Sequence, residues 1–300
     1  MSIGATLKSV ARGVAWLRGV SHAVRMPSVR NSLAGLSSRG YLPFGIAPGI
    51  PWERVHPFDI AHGTDTSGFV SVDDLDDLED KAARVHARPY GGSQPSIIRS
   101  TLAALSPLDS FTFVDLGCGK GRPLLVASEF PFQDIVGVEL SAPLARAARQ
   151  NAALIADRFP KRTAIRVVTG DAGKFPLPAG NVVLFLYNPF GDDVMERVAQ
   201  ATGAALTAER RTIYVVYYNP VAGHCFDALP QLRRHFAATV PYAADELGYG
   251  PDTEDPIVVW QSGLTTPPIG PHAIARIEIV DPRYRVKLVN DTELSNVARD

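Results

Sequence analysis

The sequence predicts an α/β fold: a mostly parallel, doubly wound sheet with an antiparallel edge, preceded by an N-terminal cap and followed by a C-terminal β-hairpin extension. Three observations predict it. Strand-like and helix-like segments alternate between about residues 89 and 263, which implies a parallel sheet covered on both faces. The apolar, β-branched run 111–116 ends directly in glycines. The Ala-rich helical stretch 143–158 opens after Ser141, a residue type that caps helices through its hydroxyl.

Taken in order, the strand pattern falls at 111–116, 135–139, 164–168, 182–187 and 212–218, with helices at 122–130, 143–158 and 195–206 between them. Two further runs, 237–240 and 257–261, read as the last strands and as an antiparallel pair. Residues 273–280 and 285–289 flank Asp281-Pro282-Arg283-Tyr284, a turn composition that predicts a hairpin. This divides the chain into a basic segment (1–40), a cap or lid (41–88), a catalytic-type domain (89–263) and an extension (264–300). With 46% hydrophobic residues in 300, the chain can bury one large core.

The basic segment carries Lys8, Arg12, Arg18, Arg25, Arg30 and Arg39, with Ile3, Leu7, Val10, Val14, Leu17 and Val24 at helical spacing and no acid before Glu53. A cap helix, a helix lying on a membrane surface and an organelle presequence all fit that pattern. The acidic run Asp73, Asp74, Asp76, Asp77, Glu79 and Asp80 is interleaved with Val72, Leu75 and Leu78, as a solvated helix face would be. No apolar run is long enough to span a membrane. A net charge of -1 and a pI near 6.7 make nucleic acid a disfavoured, though not excluded, partner. Cys118 and Cys225 form no disulfide framework and no metal-ligand spacing, which fits a cytoplasmic location and a metal-free site.

The strongest local signal is Val114-Asp115-Leu116-Gly117-Cys118-Gly119-Lys120-Gly121-Arg122. A strand enters glycines at every second position and leaves into a helix, so backbone can approach a ligand closely. Dinucleotide loops space their glycines differently, as Gly-x-Gly-x-x-Gly around a pyrophosphate. Here an acid precedes the first glycine by two residues, which suits a nucleoside with a cationic amino-acid arm. Glu139 ends the next strand, where a carboxylate can accept from both ribose hydroxyls. Gly170-Asp171-Ala172 follows the third strand, and Asp171 is placed either to accept from an adenine amine or to close a turn.

In this order and at these separations, the three elements resemble the class I S-adenosylmethionine-dependent methyltransferases, over roughly residues 90–263. The extended motifs Tyr90-Gly91-Gly92-Ser93-Gln94-Pro95, Gly137-Val138-Glu139-Leu140-Ser141 and Tyr187-Asn188-Pro189-Phe190 are similar to a bacterial group whose substrates are mostly unassigned. The resemblance implies a Rossmann-like methyltransferase fold with S-adenosyl-L-methionine as cofactor. It implies a cofactor site made of Tyr90, Gln94, Asp115, Gly117, Gly119, Gly121, Glu139, Asp171, Ala172 and Asn188. Asp115 would then lie near the methionine portion, with Tyr90 and Gln94 in a lid over it.

Tyr187-Asn188-Pro189-Phe190 is similar to the Asn-Pro-Pro-Tyr motif of the amino-group methyltransferases, with Phe190 standing where the second proline would be. It closes the fourth strand, at the edge where doubly wound sheets bind ligands. Tyr187 and Asn188 are therefore the expected catalytic pair. A second Tyr-Asn-Pro, Tyr218-Asn219-Pro220, closes the fifth strand, so Phe190, Tyr218 and Asn219 are the expected substrate contacts. Proline also ends strands for purely local reasons, which explains both copies without a ligand. His224 lies just beyond and reads as a loop histidine or a proton acceptor. The expected reaction is direct methyl transfer to an N or O nucleophile of an unidentified acceptor, a protein side chain or small molecule. A nucleic-acid amino-group methyltransferase and a non-catalytic S-adenosylmethionine-binding or scaffold protein are the alternatives.

Overall fold

A computed structural model describes residues 54–75, 81–105, 107–249, 252–263, 275–281 and 285–289 of the chain. The basic segment 1–40, four of the six acids of the acidic run (Asp76, Asp77, Glu79 and Asp80) and the turn 282–284 lie outside the described residues. The described chain opens with α1 (Pro57–His62), β1 (Phe69–Val70), α2 (Lys81–His86), β2 (Tyr90–Gly91) and α3 (Pro95–Ala103). The alternating region follows as β3 (Phe111–Leu116), α4 (Arg122–Ala127), β4 (Asp134–Glu139), α5 (Ala142–Arg158), β5 (Ile165–Thr169), β6 (Asn181–Tyr187), α6 (Asp192–Ala208) and β7 (Ile213–Tyr218). After it come α7 (His224–Asp227), β8 (Leu232–Pro241), β9 (Glu254–Ser262), β10 (Arg276–Asp281) and β11 (Arg285–Val289).

Seven strands form one sheet in the order β5-β4-β3-β6-β7-β9-β8. The first five are parallel. β9 runs antiparallel to both β7 and β8, so the last strand in sequence sits between the two before it. This is a doubly wound, mostly parallel sheet with an antiparallel edge, as the sequence predicts. β10 and β11 pair as a separate antiparallel hairpin, with an irregularity between Ile279 and Asp281. β3 and β7 are buried at every position, as strands covered on both faces must be. One core cluster joins Phe113, Ile135, Phe185 and Tyr218 to α3, α4 and α5. The other joins Leu184, Val215 and Trp260 to α6 and α7.

Local chemistry sets the helix starts. Ser141 Oγ accepts the N–H of Leu144 at 3.5 Å, with Pro143 in the first turn of α5. Because β3, β4 and β5 progress to one side and β6 and β7 to the other, the strand order reverses between β3 and β6. The crevice at the carboxyl ends of these two strands is where such a sheet admits a ligand.

The segment from His56 to Val70 covers this edge, fixed by buried polar contacts. Asp59, 2% exposed, accepts from Thr64 Oγ1, Thr66 N and Oγ1, and Ser67 Oγ. Arg122, 3% exposed, donates to Thr66 Oγ1, Thr66 O and Ser93 O, with Asp59 Oδ2 at 3.8 Å. Asn151 on α5 bonds the backbone of Asp65 and Lys120 together. The cap is thereby tied to the helix that leaves the glycine loop.

Candidate active site

β3 delivers Leu116 to the switch point, and the chain turns through Gly117–Gly121. The N–H groups of Gly117 and Cys118 both donate to Val138 O, at 2.8 and 3.0 Å, which holds the loop across the end of β4. The loop needs glycine for two different reasons at its first two positions. A Cβ at Gly117 (φ 82°) would stand 2.7 Å from Pro189 Cβ, and one at Gly119 (φ 53°) would stand 2.3 Å from the Tyr90 ring. Gly121 (φ 87°) is different, since its neighbour is Ala148 on α5. It does not line the cavity described next and packs the loop against α5.

A cavity of about 740 Å³ opens over this loop, within the size range of small-molecule sites. Tyr90, Asp115, Gly117, Gly119, Glu139, Asp171, Ala172, Tyr187, Asn188 and Phe190 all line it. Asp115 is 2% exposed, and its Oδ2 has no hydrogen-bond partner among the described residues. Burial, reinforced by the charge of Glu139, pushes its carboxyl well above the usual range. Glu139 Oε2 accepts Gly119 N–H and Oε1 accepts Ser141 N–H, both at 2.8 Å. Glu139 thereby joins the glycine loop to the start of α5 while also lining the cavity. Asp171 Oδ1 accepts Gly173 N–H at 2.9 Å, closing a 3₁₀ turn, while its residue also faces the cavity.

Tyr90 donates its hydroxyl to Thr66 O at 2.6 Å and presses its ring on Gly119, so it ties cap to loop. Gln94 is placed elsewhere than expected. It is 3% exposed, its Oε1 meets His56 Nε2 at 2.9 Å, and it lines a second cavity rather than the first. Burial and the Arg122 charge lower His56 to a pKa of about 4, so the ring is neutral and Gln94 is held by a neutral partner.

The rim beyond β6 and β7 has unusual backbone. Asn188 (φ 39°) and Asn219 (φ 49°) are the non-glycine residues with positive φ among the described residues, and each precedes a proline. Asparagine tolerates this region better than other side chains. Asn188 lines both cavities, as do Tyr187, Arg88, Pro89, Gly91 and Gly92, which together form the wall between them. The second cavity, about 920 Å³, also takes in Phe69, Tyr242, Tyr249 and Asp255.

The three expected substrate contacts, Tyr218, Asn219 and Phe190, take three different positions at this rim. Tyr218 is 0% exposed, packs edge-on against Phe185 and Tyr187, and lines neither cavity. The strand's alternation turns it into the core, one residue before the rim. Asn219 lines the second cavity, but its Oδ1 accepts Val286 N–H at 3.0 Å, anchoring β11 to the rim. Phe190 lies in the first cavity, beside Gly117, and not in the second.

Sequence reasoning missed Arg122, Asp59 and Asp255. Arg122 was detectable as the one cation in the otherwise apolar run Arg122–Ala127. Asp255 was not, because its place at the rim depends on β9 inserting beside β7.

Residues 114–206 match a family model described as a methyltransferase domain. The 4-amino-L-phenylalanine/4-methylamino-L-phenylalanine methyltransferase of Streptomyces pristinaespiralis is 34% identical over 137 residues. That match covers 45% of this chain and 38% of the relative, so the chain spans less than two fifths of the relative's length. Among solved structures, an RNA methyltransferase from Salinibacter ruber in complex with S-adenosyl-L-homocysteine aligns at 18% identity and a TM-score of 0.38, covering 58% of this chain and 95% of its own. The methyltransferase domain of bacterial CtHen1-C aligns at 15% identity and a TM-score of 0.42, covering 57% and 98%. Among the described residues there is no helix long and apolar enough to cross a membrane, and no group of three His, Cys, Asp or Glu side chains that could hold a metal.

Proposed function

We propose that this chain, which carries a class I methyltransferase domain, binds S-adenosyl-L-methionine in the first cavity and transfers its methyl group to an N or O nucleophile arriving at the Tyr187–Asn188 wall from the second. The observation that carries the reading is Asp115. A buried carboxylate oxygen without a partner is costly, and a cationic donor from a ligand would offset that cost. Glu139 supports it as a ribose acceptor and Asp171 as an adenine acceptor. In this reading residues 89–263 form the cofactor domain, 41–88 the cap and 264–300 an extension.

When bound, the cofactor supplies a methyl group on a sulfonium, a leaving group that departs neutral and needs no acid. The protein's part is alignment and exclusion of water. Gly117 and Gly119 let backbone reach the ligand. Tyr90, with its hydroxyl held by Thr66, closes the cap over the loop. Asn188, held at positive φ, sets the opening between the cavities. A small molecule or protein side chain is the favoured acceptor class. The Streptomyces relative, named for two free amino acids, supports the former.

Calorimetric titration with S-adenosylhomocysteine tests cofactor choice, and radiolabelled S-adenosylmethionine with size-fractionated extract tests the acceptor. Micromolar or tighter binding and label in small molecules or protein are expected. Binding of NAD with no response to S-adenosylhomocysteine would overturn the reading. Binding without label transfer to any fraction would point to a non-catalytic role, and label in nucleic acid to the amino-group alternative.

A further inference from the structure

The antiparallel strand β9 places a carboxylate at the rim that the parallel strands alone would not supply. β9 pairs with β7 so that Ile257 lies opposite Tyr218, the last residue of that strand. Pro256 O accepts the N–H of Asn219 at 2.8 Å, so the start of β9 is stitched to the second Tyr-Asn-Pro. Asp255 shares a sheet face with Ile257, two residues before it, which puts its side chain beyond the carboxyl end of β7. It is 7% exposed, lines the second cavity, and accepts the Tyr242 hydroxyl at 2.9 Å. Its charge is also the largest influence on Tyr187, whose phenol it holds well above the usual range. Asp255 and Tyr187 line the same cavity, and Tyr187 also walls the first.

The surroundings show what such a carboxylate would meet. Phe69, Tyr187, Tyr242 and Tyr249 give the cavity an aromatic lining, and Phe69 is 42% exposed within it. Asp252 is paired with Arg285 at 2.6 Å, so these two charges offset each other. Arg88, Lys287, Glu254 and Asp281 complete the charged lining, and of all these only Asp255 is buried.

We propose that the second cavity is the acceptor site, that it takes an amine carried on a flat aromatic body, and that Asp255 both anchors the ammonium and accepts its proton. The proposal rests on the methyltransferase reading for the step itself. The amine enters as R–NH₃⁺, and Asp255 as carboxylate takes one N–H proton. The freed lone pair forms the N–C bond as the S–C bond breaks, its electron pair staying on sulfur. The product leaves as R–NH₂⁺–CH₃, and the proton on Asp255 passes to solvent. Burial and the neighbouring Asp252 and Glu254 raise Asp255 to a pKa of about 7, against the lowering effects of the Tyr242 hydrogen bond and Arg285, so the carboxyl can both hold and release a proton near neutrality.

The test uses the full chain saturated with S-adenosylhomocysteine and benzylamine as probe, with benzyl alcohol and benzoate as neutral and anionic matches, read by ligand-observed NMR titration. Benzylamine should bind and benzoate should not at equal millimolar concentration. Asp255→Asn should weaken benzylamine about ten-fold or more, as loss of a charged hydrogen-bond partner does, while S-adenosylhomocysteine affinity stays within about two-fold. Benzylamine affinity should rise with pH through about 7, as Asp255 ionises. Tyr242→Phe, which removes the donor, should move that midpoint upward, a response that a merely structural role would not produce. Equal binding of benzoate, no effect of Asp255→Asn, or no benzylamine binding would each overturn the proposal. If S-adenosylhomocysteine itself fails to bind, the methyltransferase reading falls separately, and the benzylamine arm, run without it, still decides this one.

Discussion

The ring of Tyr90 occupies the space that a side chain at Gly119 would need: a Cβ there would stand 2.3 Å from Cδ2 and Cε2. Cap and glycine loop are fitted to each other at this point. Gly119→Ala should therefore destabilise the fold by roughly 1–3 kcal/mol through overpacking, with some further strain at φ 53°. Adding Tyr90→Ala to that variant should restore part of the loss. Chemical denaturation of the two single variants and the double gives the coupling directly, and strict additivity would show that the contact is slack.

Asp115 predicts proton release on cofactor binding. Its carboxyl is raised by burial and by Glu139, so the free protein keeps that proton over a wider pH range than an exposed aspartate would. A cationic ligand group favours the ionised form. Binding should then expel a proton, and affinity should increase as pH rises toward the carboxyl's free-state pKa. Titration calorimetry in two buffers of different ionisation enthalpy measures the release. Asp115→Asn should abolish both the release and the pH dependence. A buffer-independent enthalpy in the wild type would contradict the prediction.

Glu139 and Asn188 should fail in different ways. Glu139→Ala removes an acceptor used by Gly119 and Ser141 as well as the one offered to a ligand. Cofactor affinity should fall about ten-fold to several hundred-fold, given charged hydrogen bonds of roughly 1.5–3 kcal/mol each. Asn188→Ala should keep affinity within a few-fold and lower single-turnover methyl transfer instead. If both lose cofactor equally, Asn188 belongs to the cofactor pocket.

Breaking the buried pair beneath the cap should cost far more than a surface contact. Arg122 and Asp59 are almost fully buried, and Asp59 takes hydrogen bonds from three residues of one loop. Arg122→Met would leave the Asp59 charge without its cation, a loss of about 3–5 kcal/mol for such pairs. The measurement is urea unfolding, together with proteolysis of the 54–75 segment, which should become the first cleavage site.

Much of the sheet was legible because parallel strands covered on both faces are written as unbroken apolar runs. The predicted 111–116 coincides with β3 and the other limits fall within about three residues, except that β8 begins at Leu232 rather than at the predicted 237. The Gly117–Gly121 loop, Glu139 and Asp171 were legible because local geometry imposes residue type at fixed spacing. The burial of Tyr218 was not legible, because a motif read as a unit says nothing of which face each member takes. The contact of Gln94 was not legible because its partner, His56, lies 38 positions earlier in the cap. Asp255 escaped because strand order is a long-range property: only the insertion of β9 between β7 and β8 brings it to the rim.

That insertion also bears on how the chain acquires its shape. During synthesis β8 emerges before β9 and has no neighbour in the sheet except β9. Until residues 254–262 arrive, β7 presents a bare hydrogen-bonding edge made of Ile213, Tyr214, Val215, Val216, Tyr217 and Tyr218, every one of them buried in the finished molecule. Such an edge invites pairing with another nascent chain. The closing of the sheet and the arrival of Asp255 at the rim are thus a single, late event. A ribosome-bound intermediate ending near residue 250 would be both the species most prone to self-association and one without its proton acceptor.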